Sequence, residues 1–514
     1  MADSRTRNSI RNTSMSALAQ LVGILLNFVG RTFFIKLLSV EYLGINGLFG
    51  NIITILSLAE LGVGTAIVYM MYEPIAKGNT AKVAAYNSLF RKIYNCIGCF
   101  VFFAGLCVIP FLDVIIKESP KITENITIIY ILFLLNTSVS YFFTYKRSLL
   151  IAHQKEYLNS KNIIYFAIIK DVVLIIILVL TANYYFYLIA QICITFSSNV
   201  AISRVANKHF PEIVNQKGCG ITKEEKKTIV KNTSGMLCHK IGAVIVSGTD
   251  NILISSFVGI ATVGVFSNYK LIQNVAVQLI SRAVNAVTAS VGNLVASTDN
   301  DRVYEVFKKL YFLNFTLAFF TSVMFYALID AFIAIWIGKE FIIDHFSMMI
   351  IATNLFFIQI RVPSQVIINS YGVFWQIKWK SIVEAIINLA SSLFFASILD
   401  MGLKGILLGT IVSTVSTNLW WEPYGAYHYA MRKPLKEYAI MFMGNMAAFF
   451  LSLGLIYFVN LYIQAQIQNN YLVFFTEAIT SAIIAIMTYL LLYGKSSGFE
   501  YAKTFVRNHL VRNK

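Results

Sequence analysis

Charge is what this sequence lacks most. Only 13% of its 514 residues are Asp, Glu, Lys or Arg, about half the share of an ordinary soluble domain. Prolines number 7, and no polar linker parts the chain into soluble domains. Cysteines number six, Cys96, Cys99, Cys107, Cys193, Cys219 and Cys238, and five of them sit inside apolar blocks. Cys96-x-x-Cys99 has no second pair and no nearby His, so it reads as two small buried side chains rather than a zinc or redox motif. No disulfide framework is implied. There is no Gly-x-x-x-x-Gly-Lys-Ser/Thr loop to hold a nucleotide. These gaps exclude a soluble enzyme, a secreted disulfide scaffold and an ATP-driven machine. No cofactor, metal site or nucleic-acid partner is expected.

What is present is apolar. The sequence is 57% hydrophobic with a mean hydropathy of +0.67. Apolar blocks of about 20 residues recur along it, each long enough to cross a hydrocarbon core of about 30 Å as a helix. Strands of a membrane barrel would be about 10 residues long and strictly alternating, and they are not seen. The blocks give an all-α integral membrane protein of about fourteen spans: 14–38, 44–72, 92–116, 125–150, 162–181, 184–204, 233–257, 264–295, 309–337, 346–370, 381–399, 403–422, 438–460 and 471–493. The first block follows Arg5, Arg7 and Arg11 and is too long for a signal-peptide core, so it reads as a retained helix.

Lys and Arg set the orientation. With the N-terminus inside, 31 of the 42 basic residues fall on the cytoplasmic side, 5 on the other side and 6 within spans. Both termini are therefore expected in the cytoplasm. The net charge of +17 belongs to loops that meet anionic lipid headgroups. Every outer loop is short, which leaves no folded outer domain for catalysis. The loop 205–232 contains Thr222-Lys223-Glu224-Glu225, a capping box that opens a short helix. In the tail 494–514, Phe499, Ala502, Phe505, Val506 and Leu510 recur at helical spacing among basic residues, as in a helix lying on a membrane surface.

The chain repeats itself. Arg11-Asn12-Thr13-Ser14 returns as Lys231-Asn232-Thr233-Ser234, an offset of 220, and Gly44 falls on Gly264 at that same offset. Phe90-Arg91-Lys92-Ile93-Tyr94 returns as Phe307-Lys308-Lys309-Leu310-Tyr311 at 217, and Asp113 then falls on Asp330. This divides the chain into an N-terminal lobe (1–204, spans 1–6), a linker (205–232) and a C-terminal lobe (233–437, spans 7–12). Two further helices (438–493) and the basic tail follow. Six spans per lobe make the repeats parallel, and transporters built this way hold substrate between the halves and rock them to alternate access.

Charges within spans point to a cavity or a partner, because each costs about 2.5–3.5 kcal/mol at mid-membrane. Span 8 carries Lys270, Asn274, Gln278, Ser281, Arg282, Asn285, Thr288 and Gly292 on one helical stripe, opposite Val and Ile. Span 1 carries Gln20, Gly23, Asn27 and Arg31. Span 7 carries Lys240, Asp250 and Asn251, and span 2 carries Ser57, Glu60 and Gly64. The candidate cavity cations are Arg31, Lys240, Lys270, Arg282 and Arg361. The candidate carboxylates are Glu60 and Asp250, either coupling H⁺ or Na⁺ to transport or partnering the cations. Lys170 and Asp171 read as a local pair, and Glu384 and Glu477 as interfacial. An excess of cations suits an anionic ligand: Arg offers a fork for phosphate oxygens and Lys a point charge.

Several motifs resemble a known family. Leu43-Gly44-Ile45-Asn46-Gly47 and Leu58-Ala59-Glu60-Leu61-Gly62-Val63-Gly64-Thr65-Ala66 resemble the opening of bacterial polysaccharide-transport and O-antigen-type flippases, members of the multidrug/oligosaccharidyl-lipid/polysaccharide exporter superfamily. Tyr72-Glu73-Pro74-Ile75-Ala76-Lys77-Gly78-Asn79 and Ala152-His153-Gln154-Lys155-Glu156-Tyr157 are similar to their loops after spans 2 and 4. The resemblance implies alternating access by two lobes around a cationic cavity, without ATP. It implies flipping of an undecaprenyl-diphosphate-linked oligosaccharide to the outer leaflet for cell-surface polysaccharide export. The alternatives within the superfamily are a lipid II flippase, which the fourteen-span plan matches, and a multidrug cation antiporter, whose cavity would carry the opposite sign.

Overall fold

The computed structural model describes residues 2–511, apart from 61–62, 118–119, 217–220, 226–241, 243, 245, 247 and 374. Lys240, Cys219, Cys238 and the repeated motif 231–234 lie outside the described residues, as does the side chain of Arg282. The described residues are helical and contain no strand. Among the described residues, ten helices are long and apolar enough to cross a membrane. Those expected spans outside that set are the broken span 2, span 7 with its undescribed residues, span 8 with its polar stripe, and span 12 with its π-turns.

The chain divides into two compact units, Met1–Gly264 and Val265–Lys514. In the first, α1 (Ala2–Leu37) lies along α7 (Glu156–Thr181). The conspicuous Ala152–Tyr157 motif fixes its register. Gln154 turns the chain with φ +58°, and the Asn12 side chain clasps that turn, donating to the Gln154 carbonyl (3.0 Å) and accepting from Tyr157 N–H (2.8 Å). The Arg11 guanidinium stacks 3.9 Å over the Tyr157 ring. On the other face of α1, Leu18, Leu21, Leu25, Val29, Phe33 and Leu37 are exposed at helical spacing, the apolar stripe that lipid solvates.

Span 2 is not continuous. It runs as α2 (Val40–Leu56), a 3₁₀ turn (Ser57–Glu60) and α3 (Val63–Ala76). The helix α4 (Thr80–Leu106) follows Gly78 (φ +67°) and is capped by Asn79, which accepts from Lys82 N–H at 2.9 Å. Next come α5 (Ile126–Tyr141), α6 (Thr144–Ala152), α7 and α8 (Tyr184–His209). The core packs Ile67 and Met71 of α3 against Tyr86, Phe90 and Tyr94 of α4 and Tyr141 of α5. Cys96 and Cys99, expected to be buried, are exposed on the lipid-facing side of α4, so the pair contributes no packing.

The capping box is present as read: Thr222 N–H donates to Glu225 Oε2 (2.9 Å) and Glu225 N–H to Thr222 Oγ1 (3.3 Å). Glu225 also accepts from Lys82 Nζ (2.8 Å) and the Tyr86 hydroxyl (3.1 Å), which ties the loop to α4. The hydrogen-bonded Lys82 ammonium pulls the Glu225 carboxyl down to about 2. A depressed acid contributes stability above its unfolded pKa and loses it as pH falls through the folded value, so this tie holds at neutral pH and releases only in strong acid.

The long helix α9 (Ile260–Ser297) begins in the first unit, and its start crosses α2 at two glycines. A methyl on Gly44 would overlap the carbonyl oxygen of Ile260, and a methyl on Gly264 would overlap that of Val40. Gly44 and Gly264, like Val40 and Ile260, are 220 residues apart. The internal repeat therefore makes one reciprocal contact with itself, backbone to backbone. Residues 248–257, which the repeat assigns to the C-terminal lobe, also pack in this unit: Asn251 Nδ2 donates to the Gly47 carbonyl (3.3 Å) and Lys117 Nζ to that of Phe257 (2.8 Å).

The second unit is built on α10 (Asn300–Trp336), which packs against α11 (His345–Ile360), α16 (Lys436–Gln466) and α17 (Asn470–Tyr493). The joint is aromatic. Phe356 stacks on Phe449 with centroids 4.3 Å apart and rings within 6° of parallel, while Phe315 meets Tyr489 and Tyr493. The two helices beyond the repeat thus dock on α10. Between them lie α12 (Val362–Tyr371), α13 (Lys380–Leu393), α14 (Gly402–Ser413) and α15 (Leu419–Tyr424), with π-turns at Thr414–Asn418 and Gly425–Met431. The tail forms α18 (Ser497–Val511). Its start docks on the protein rather than lying free: Gly498 abuts the Phe312 ring and Lys309 sits 5.0 Å over Tyr501.

Because the glycine crossing leaves no space for a side chain on either strand of the contact, Gly264→Val should cost at least the 1–3 kcal/mol of an overpacked core. Gly44→Val should do the same. A lowered melting temperature in detergent would show it; unaltered melting of both variants would contradict the crossing.

Candidate functional site

Of the stripe read on span 8, Lys270, Asn274, Gln278 and Ser281 fall on one side of α9, and the side chains of Arg282, Asn285 and Thr288 lie outside the described residues. Lys270 is half-buried, with its ammonium 5.4 Å over the Phe266 ring. Asn274 and Gln278 are exposed and Ser281 is half-buried. The adjoining face is packed: Tyr269, Gln273 and Ile280 are buried in the second unit, as is Phe266 one turn before Lys270. Tyr269 donates to Asp330 Oδ1 (2.9 Å) and accepts from Ile343 N–H (3.1 Å), and Gln273 donates to the Ile351 carbonyl (3.3 Å). These bonds fix the helix rotation, so the stripe points away from the packed side. Arg282 continues the stripe in sequence, three turns from Lys270, about 18 Å along the axis.

In the first unit, Arg31 is half-buried on α1, within electrostatic reach of Tyr187 on α8. Its neighbour Gly30 faces the Asp171 carboxylate, which Lys170 approaches at 3.9 Å. Asn27, on the same face of α1, is exposed. Glu60 sits on the 3₁₀ turn that breaks span 2 and accepts from the Tyr94 hydroxyl at 2.8 Å, while Tyr141 donates to Ser57 next to it (2.9 Å). Asp250 is buried, 4% exposed.

Arg361 has a different setting. It closes α11, and its Nε lies 3.1 Å from Glu422 of α15. The same carboxylate accepts from Lys380 Nζ (2.9 Å), which also pairs with Glu384 (3.2 Å) and donates to Asn418 (2.7 Å). Asn418 donates in turn to Glu384. Two cations and two carboxylates thus neutralise one another where four helical segments meet. Glu384, read as interfacial, is buried in this network. Glu477, also read as interfacial, is fully buried between α16 and α17. Both sit near span ends in the sequence, but neighbouring helices extend beyond those ends and cover them.

The sequence reading missed Lys380 and Glu422, and Arg147 in the first unit. Among the described residues, Arg147 is met by no carboxylate. Its guanidinium is hydrogen-bonded by oxygens of Asn159 (2.6 Å), Asn162 (3.3 Å), Ser198 (3.4 Å) and Asn199 (3.0 Å). A signal existed for one of these: Lys380 and Glu384 stand four apart, the spacing of a helical ion pair. The span edges were set where charge begins, which cut off the residues that pair inside the protein.

The described residues form an all-helical chain with ten helices long and apolar enough to cross a membrane. Their fold is similar to that of solved transporters of the MOP superfamily. Over 96% of this chain and 99% of the other, it superposes on the lipid II flippase MurJ in an inward closed conformation, with a TM-score of 0.65 at 14% identity. It also superposes on an inward-facing multidrug resistance MATE family transporter (TM-score 0.63, 12% identity, 82% of this chain and 97% of that). A MOP superfamily transporter from Pyrococcus furiosus described as having a binding pocket of reverse polarity matches at TM-score 0.54 and 13% identity, over 84% and 97%. No protein-family model and no curated protein sequence matches the chain.

Glu422 is the hub of the buried network. Glu422→Gln should cost about 3–5 kcal/mol, because it leaves Arg361 and Lys380 to share one remaining carboxylate. Thermal unfolding in detergent checks this. A variant as stable as the parent would mean that Arg361 is not held by Glu422 and is free for a ligand.

Proposed function

We propose that the chain is a flippase that carries an undecaprenyl-diphosphate-linked oligosaccharide from the cytoplasmic to the outer leaflet by alternating access, serving export of a cell-surface polysaccharide. The observation that carries the reading is the sign of α9. Its sequence carries Lys270 and Arg282 about three turns apart and has no acidic residue between Asp250 and Asp299. A transmembrane helix with two cations and no anion on its own length calls for an anionic ligand, and diphosphate is the anion of such a lipid. Arg31 and Lys240 extend the set in this reading. Glu60 and Asp250 supply carboxylates that couple H⁺ or Na⁺ or balance the cations. Arg361 is the weakest member, since Glu422 already holds it.

A cationic drug would need the opposite sign, so a multidrug antiporter is disfavoured. Lipid II, the cargo named for one structural neighbour, is the second reading, and the superposition over 96% of this chain and 99% of that one supports it. It differs from the first in the sugar, which these residues do not specify. No step of this transport makes or breaks a covalent bond in the cargo.

Arg282→Ala should lower glycan export by about tenfold or more, the loss of one charge-assisted hydrogen bond of about 1.5–3 kcal/mol, with lipid-linked precursor accumulating inside. Arg282→Lys should rescue only in part, because the fork is lost. If a normally inserted Arg282→Ala protein exports at the parental rate, the cationic-stripe assignment is wrong.

A further inference from the structure

The two helices beyond the repeat, α16 and α17, pack on α10, and lipid covers their outer faces. Helices with only that task need no polar interior. These have one. At the end that the basic-residue asymmetry places outside, a cavity of about 260 Å³ is lined by Asp330, Lys339, Gln464, Gln468 and Asn470. Behind it lies Glu477, with no exposed surface. Gln464 joins the two: it lines the cavity and donates to Glu477 Oε1 at 2.8 Å. The other oxygen, Oε2, has no hydrogen-bond partner.

The polar groups continue inward. Asn460, one turn before Gln464, donates to the Ala327 carbonyl (3.0 Å) and leaves its own oxygen unpartnered. Ser481, one turn after Glu477, and Ser322 on α10 are fully buried and also unpartnered. Unpartnered buried oxygens at one helix junction mark places for protons and water. Further along, Tyr489 meets Thr316 (2.6 Å) and Tyr493 donates to Asn445 (2.8 Å). There a second cavity, of about 460 Å³, is lined by Lys308, Lys309, Asn445 and Tyr493.

We propose that Glu477, together with Asp330 and Gln464, is a proton-binding site that exchanges with the outer side through the 260 Å³ cavity and couples a proton gradient to transport. The proposal rests on the transporter reading above and adds the ion and its place. The charged and titratable groups around the site are few. From α10, Asp330 lies within electrostatic reach of Glu477. From α9, Tyr269 donates to Asp330. Nearby are Tyr326 with His345, Asp344 with Lys404, and Lys339 at the cavity mouth. From α16 comes the uncharged Gln464. Among the described residues, no ion pair reaches Glu477 or Asp330. A buried carboxyl with one oxygen unpartnered and a second carboxyl within electrostatic reach is suited to bind a proton. Gln464 donates N–H to Glu477 Oε1 and Tyr269 donates O–H to Asp330 Oδ1, and Glu477 Oε2 is left to take the proton. The proton adds to a carboxylate oxygen from outer water and leaves as the same proton, so no other reactant is needed.

The test uses the full chain reconstituted in vesicles, without cargo. Infrared difference spectra between acid and alkaline buffer should show a protonated-carboxyl C=O band that is missing in Glu477→Gln and kept in Glu477→Asp. In the parental protein, dicyclohexylcarbodiimide, which reacts with protonated carboxyls in apolar surroundings, should modify Glu477 more at acid pH, as mapped by mass spectrometry. With cargo, Glu477→Gln should fall to the rate seen without a gradient while exchange at equal pH persists. An unmodified Glu477 and an unchanged band in Glu477→Gln would overturn the site, as would gradient dependence on Na⁺ in place of protons. The band is read without cargo, so a titrating Glu477 in a protein that moves no lipid-linked glycan would defeat the cargo reading alone.

Discussion

A charge inside a bilayer must find a partner or water, and that requirement sorts the polar residues of this protein. Arg361, Lys380, Glu384 and Glu422 answer it by neutralising one another in a buried network. Arg147 answers it with a shell of amide and hydroxyl oxygens. Lys270 answers it on α9, where its ammonium lies 5.4 Å over the Phe266 ring and the helix carries no acid. In the proposed reading the cations of α9 are where an anionic cargo binds, and the paired charges elsewhere hold the scaffold.

The repeat and the packing explain each other at Gly44 and Gly264. Two helices approach backbone to backbone only where neither carries a side chain, and repeat-related positions meet there reciprocally. The two halves have diverged elsewhere. The corresponding junctions of the fourth to sixth spans and the tenth to twelfth hold a lone Arg147 among amides in one case and a four-charge network in the other. A π-turn at Thr414–Asn418 brings Asn418 onto the latter, where it bonds both Lys380 and Glu384.

Much of the architecture was legible in the sequence because hydrocarbon imposes a length and a composition. Helix positions, the capping box at Thr222 and the polar stripe of α9 all follow from periodicity. The break in span 2 did not, since Ser57–Glu60 sits within an unbroken apolar block and only the folded chain shows that Tyr94 draws Glu60 aside. Charges at block edges were also misjudged: Glu384 and Glu477 look interfacial in one dimension, but neighbouring helices overreach them. Cys96 and Cys99 failed in the opposite sense. In a membrane protein an apolar position can face lipid as readily as the core, so hydrophobicity alone does not say which way a small residue points. The resemblance of Ala152–Tyr157 to a family loop acquired a physical reason once Asn12 and Arg11 were found clasping it.

The central claim is that the ligand is an anion on a polyprenyl chain. Its most direct measurement is transbilayer movement in vesicles containing the purified protein and a fluorescent short-chain polyprenyl-diphosphate oligosaccharide, scored by exposure to an impermeant quencher. The account predicts that the labelled lipid crosses in protein-containing vesicles and not in empty ones, and that a lipophilic cation of similar size does not compete. Movement or efflux of the cation, with the diphosphate lipid left in its original leaflet, would contradict it.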